Sequence, residues 1–155
     1  MMNQATDAFI AFITNRAIWI PLAAWFTAQF LKLLINLIRY RKLKWSYMYS
    51  PGGMPSAHSA VMAALATTIA VLYGVDSPLF AISLVLTFVV MYDAAGVRRT
   101  VGHHSTVMNK MLDELFQDNK EFGQRLQEII GHTKWEVLAG AVLGIAYGLI
   151  FTWPW

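Results

Sequence analysis

The sequence predicts an all-α, polytopic membrane bundle of about four transmembrane helices with an amphipathic helix on its surface. Two observations carry that expectation. The chain is 57% hydrophobic and only 14% charged, whereas a soluble domain carries about 25% charged residues. Four windows, 17–38, 57–75, 78–97 and 135–153, also come close to the roughly 20 apolar residues that a membrane-spanning helix requires. A length of 155 residues is enough for one domain, so residues 1–155 are read as a single membrane-embedded unit.

Ahead of the first span, residues 5–13 read as a short interfacial helix. The N-terminus lacks the basic start and small-residue cleavage site of a signal peptide, so the first span is expected to serve as an uncleaved insertion signal. The run RYRKLKWSYMYSPGGMPS that follows is a basic, aromatic loop closed by turn residues. Only Asp76 and Ser77 separate the second and third windows, which predicts a tight antiparallel hairpin. Within the polar stretch 98–134, Met108, Met111, Leu112 and Leu115, then Phe122, Leu126, Ile129 and Ile130, recur at helical spacing. They predict an amphipathic segment over 105–130 lying on the membrane surface.

Arg39, Arg41, Lys42 and Lys44 in the first long loop and Arg98 and Arg99 at the start of the second place both loops in the cytoplasm by the positive-inside rule. That orientation makes the chain a multi-pass protein, assigned to a bacterial plasma membrane, with its chemistry on the cytoplasmic side. The net charge of +3 is read as contact with anionic headgroups or an anionic substrate, and no nucleic-acid partner is expected. The absence of cysteine excludes disulfides, zinc–thiolate sites and cysteine nucleophiles.

Ionisable groups inside a span cost several kcal/mol, so each is a functional candidate. Lys32 sits well inside the first span, and Arg39 follows seven residues later, almost two helical turns along. Ser56 is a candidate N-cap for the second span and places His58 in its first turn, after Gly52 and Gly53. A helix N-terminus preceded by glycines is a natural anion site. At the fourth span, His132 and Glu136 are four apart and share one face. A carboxylate on one imidazole nitrogen fixes the tautomer and leaves the other as nucleophile or base. Gly140, Gly144 and Gly148 continue that interval as a smooth packing stripe. The adjacent His103 and His104 cannot both face one ion from a regular helix, so no metal site is expected. Under this topology Lys32, Arg39, His58, Arg98, Arg99, His132 and Glu136 come to one membrane face. Cations around two histidines, one backed by a carboxylate, suit a phosphate monoester.

Three of these segments, in order, resemble the motifs of the type 2 phosphatidic acid phosphatases, which share a fold with vanadium haloperoxidases. Lys32, six residues and Arg39 resemble the first motif. Pro55-Ser56-Ala57-His58 resembles the Pro-Ser-Gly-His motif at three of four positions, and His132 with Glu136 and the following Val137-Leu138-Ala139-Gly140 resembles the third. The similarity is to a small, divergent membrane branch. It implies a phosphatase without cofactor or metal, acting on a lipid or isoprenoid phosphate or pyrophosphate and mimicked at its transition state by vanadate. It implies that His132 forms a phosphohistidine, Glu136 orients it and His58 is the general acid. Lys32, Arg39, Ser56 and one of Arg98 and Arg99 would bind phosphate, with Arg125 a further candidate. Ala57 and Glu136 depart from the pattern's Gly and Asp. A non-catalytic binder or carrier of lipid phosphate, and a structural subunit docking through the amphipathic segment, remain the alternatives.

Overall fold

The computed structural model describes residues 3–41, 53–115 and 131–153, and among these every regular element is an α-helix. They are α1 (Gln4–Ile13), α2 (Arg16–Tyr40), α3 (Ala57–Tyr73), α4 (Pro78–Ala95), α5 (Val97–Leu115) and α6 (Lys134–Thr152). The basic loop beyond Arg41, Arg125 and the second half of the amphipathic segment lie outside the described residues.

Each boundary has a local cause. Asn15 caps α2 by accepting from the Ala17 N–H at 3.0 Å, and Arg41 ends it in the left-handed region at φ 50°. Ser56 caps α3, which stops at Gly74, φ 86°. Ser77 caps α4, with Pro78 in the first turn, where a missing N–H costs nothing. Thr133 and Glu136 form a reciprocal capping box at the start of α6.

Three helical runs are long and apolar enough to cross a membrane: Gln4–Arg39, Pro78–Glu114 and Lys134–Thr152. The other apolar helix, α3, has 17 residues, about 26 Å at 1.5 Å per residue. It is the shortest of the packed helices and the central one, since α2, α4 and α6 all lie against it.

α3 and α6 run parallel. Gly140 faces Ser56, Gly144 faces Ala60 and Ala64, and Gly148 faces Ala64 and Thr67 in succession. α2 is antiparallel to the pair, with Ala28 beside Ala57 and Ala60, and Thr27 bonded to Tyr147 at 2.6 Å. α4 is antiparallel as well: Thr87 donates to the Met62 carbonyl at 3.1 Å. The core is built largely of alanine, with Ala24, Ala28, Ala60 and Ala64 fully buried, while Phe26, Phe30, Val85, Phe88 and Val142 face outward. This follows from the solvent: lipid gives large apolar side chains no reason to turn inward, so small residues at helix contacts and close backbone approach hold the bundle.

The amphipathic helix begins at Val97, earlier than residue 105, because after Gly96 the chain re-enters a helix immediately. Arg98 and Arg99 therefore stand in the first turn of α5 and not in a loop. α5 exposes Val101, Met108 and Met111 while burying Gly102 and Asn109.

Candidate functional site

Four helix ends meet at one end of the bundle: the C-terminal halves of α2 and α4 and the N-termini of α3 and α6. Two backbone hydrogen bonds tie the ends of α3, α4 and α6. The Ser56 N–H donates to the Glu136 carbonyl at 2.9 Å, and the His132 N–H donates to the Ala94 carbonyl at 3.1 Å. The positive ends of two helix dipoles thus face the same region.

His132 is buried, and its Nδ1 lies 3.2 Å from Glu136 Oε2. That oxygen also accepts from the Thr133 N–H at 3.0 Å. One carboxylate oxygen therefore closes the capping box and holds the imidazole. This explains the departure from aspartate, since a Thr-x-x-Glu box needs the longer side chain to reach back to the N-cap amide. With Nδ1–H donated to the carboxylate, the lone pair of the neutral ring sits on Nε2. Glu136→Ala is expected to cost about 1 kcal/mol through the lost cap, seen in thermal unfolding in detergent as a melting point about 3 °C lower.

The His58 and His132 rings stand edge to face with centroids 6.3 Å apart. Lys32, inside α2, is 3% exposed. The loop entering α3 passes directly over the lysine stem. A Cβ on Gly53 would stand 3.3 Å from Lys32 Cγ, and Gly53 has φ 87°, a conformation glycine adopts at no steric cost. Ser56 is fully buried, its hydroxyl accepting from the Ser59 N–H at 3.3 Å and from the Ser59 hydroxyl at 3.1 Å. Its side chain is engaged in holding the α3 N-terminus. The Ala57 methyl points into the contact with Ala28 and Ala60, so the alanine in place of the pattern's glycine serves helix packing.

Lys32, His58, His132, Glu136 and Ser56 are thus gathered at one end of the bundle. Arg39 is exposed, about two turns further along α2. The side chains of Arg98 and Arg99 lie outside the described residues, although their backbone opens α5 close to the same end. Among the described residues, no group of three or more His, Asp or Glu side chains is placed to hold a metal ion. Two residues that sequence reasoning missed share the face of Lys32: Gln29, which is buried, and Asn36, whose Nδ2 donates to the Lys32 carbonyl at 3.0 Å. Two carboxamides in an apolar span, in register with Lys32 and Arg39, were the available signal.

A helical membrane bundle with a buried lysine and a carboxylate-backed histidine at one end of its spans defines a class: an integral membrane protein with a polar site recessed among its helices. The chain belongs to the Divergent PAP2 family, whose model matches residues 13–147. It is also 39% identical over 152 residues to the uncharacterized membrane protein YuiD of Bacillus subtilis (strain 168), covering 91% of this chain and 96% of that one. No solved structure matches it.

Proposed function

We propose that this protein is a membrane phosphatase that releases phosphate from a lipid or isoprenoid phosphate or pyrophosphate through a phosphohistidine, without a metal ion. The observation that carries this reading is the pairing of His58 with His132 at 6.3 Å, with Glu136 on the far nitrogen of His132. A phosphorus under attack stands roughly 3 Å from its nucleophile, and its leaving oxygen stands about 2.8 Å from the acid that protonates it. Two imidazoles at this separation suit those two roles on one phosphoryl group.

The His132 Nε2 lone pair attacks phosphorus and the P–O bond to the lipid alcohol breaks. His58 gives its proton to the departing oxygen, and Glu136 stabilises the imidazolium that His132 becomes. Water then attacks the phosphohistidine, losing a proton to His58, and inorganic phosphate leaves. Lys32 and the N-termini of α3 and α6 offset the charge on the phosphoryl oxygens, the part a metal plays in other phosphoryl-transfer sites. Arg39 and an arginine of the 98–99 pair meet the phosphate on its way in. The positive-inside rule places this end at the cytoplasmic face of the plasma membrane, where a headgroup enters while its tails stay in lipid.

The test is a panel of lipid phosphates incubated with purified protein in EDTA. Phosphate release that orthovanadate inhibits at micromolar to millimolar concentration is expected. Tight binding of a lipid phosphate with no release would make the protein a carrier and overturn the catalytic reading.

A further inference from the structure

Gln29, Lys32, Asn36 and Arg39 lie at i, i+3, i+7 and i+10 on α2, hence on one stripe of the helix. The stripe runs from exposed at its outer end to buried at its inner two positions. Arg39 is exposed, Asn36 is half-buried, and Lys32 and Gln29 are 3% and 8% exposed. The stripe is a polar track about 15 Å long descending from the mouth of the bundle, and Gln29 is its floor. Gln29 follows Ala28, which touches Ala57 and Ala60 in the first turn of α3, so it sits at the depth where α3 begins.

Gln29 Oε1 is buried and, among the described residues, accepts no hydrogen bond. A buried carbonyl without a donor is costly, and a polar group within a span is a functional candidate by default. Such an acceptor, one turn below the lysine of the site, is suited to a donor that arrives with the ligand. A phosphate dianion brings only oxygens that accept, so in that form the phosphoryl group itself does not supply that donor. A hydroxyl a few bonds beyond the phosphoester does.

We infer that Gln29 is a substrate-positioning residue whose carboxamide oxygen accepts a hydrogen bond from a hydroxyl on the substrate's headgroup. The preferred substrate class is then a lipid phosphomonoester on a hydroxylated alcohol, over one whose phosphate is carried by an alcohol without a neighbouring hydroxyl. This rests on the phosphatase reading of the same site.

The experiment compares wild type, Gln29→Met and Gln29→Leu on two micellar substrates. Phosphatidylglycerol phosphate has a hydroxyl beside the scissile ester, and phosphatidic acid has none. Wild type is expected to prefer the hydroxylated lipid at least tenfold in kcat/KM. Both variants are expected to lose about tenfold on that lipid and to change less than twofold on phosphatidic acid, with melting temperatures unchanged or raised because an unpaired buried acceptor has gone. Equal losses on both lipids, or a lower melting temperature with no change in preference, would assign Gln29 to packing and overturn the inference while leaving the phosphatase reading standing. Activity of wild type on neither lipid, nor on any other of the panel, would overturn both.

Discussion

His132→Ala is expected to abolish phosphate release, lowering kcat by about six orders of magnitude, the scale on which removal of a covalent nucleophile is felt. The physical reason lies in how the ring is held. Glu136 Oε2 fixes Nδ1 at 3.2 Å, and the His132 N–H is anchored to the Ala94 carbonyl, so both the side chain and the backbone beneath it are fixed before substrate arrives. Alanine keeps the backbone anchor and the Thr133–Glu136 capping box, because both use main-chain groups or neighbouring residues. The variant should therefore melt close to wild type and still bind lipid phosphate through Lys32. Measuring release, melting and phosphate-lipid binding on one preparation separates chemistry from folding. Retention of more than a tenth of the wild-type rate would remove His132 from the reaction.

The second large effect lies far from the chemistry. Gly144→Val is expected to destabilise the bundle by about 3 kcal/mol, at the upper end for overpacking a close contact, and to lower the melting point by about 10 °C. A Cβ at this position would run into the Ala60 carbonyl oxygen and would lie 2.8 Å from the Ala64 nitrogen and 2.9 Å from the Ala63 Cβ. Two of those neighbours are helix backbone, which cannot rotate away as a side chain does. The helices must separate, and since α3 carries His58 while His132 stands two residues before α6, phosphate release should fall with stability. Val142→Leu, on the outward face of the same helix, is the control and should melt like wild type. Wild-type melting of Gly144→Val would mean that α3 and α6 do not pack along this stripe.

Much of this was legible in the chain. The membrane class followed from composition and window length, and the glycine interval 140–144–148 announced a close helix contact. The helix-start signal at Ser56 lay in plain view as well. What was not legible depended on which helix lies beside which. Arg39 shares a stripe with Lys32 yet is exposed, because it lies near the end of α2, about three turns beyond the level at which α3 begins. Ser56 read as a cap and a phosphate ligand, and its hydroxyl oxygen is fully buried and accepts two hydrogen bonds from Ser59. Ala57 looked like damage to a motif and proves to be a helix contact with Ala28. Gln29 and Asn36 drew no attention because a carboxamide has no charge to mark it as costly, and its burial becomes visible only once the bundle is assembled.

Local chemistry by itself determined where helices start and stop, because caps, turns and apolar runs act within a few residues. It also determined that the protein lives in a bilayer, since that depends on summed composition. The order of spans and loops brought residues 32, 58, 132 and 136 to one membrane face, and only the tertiary structure decided which of them stand side by side there. Those positions are up to about a hundred residues apart, and their meeting is set by the parallel pairing of α3 with α6 through small side chains, a contact whose partner no single helix specifies.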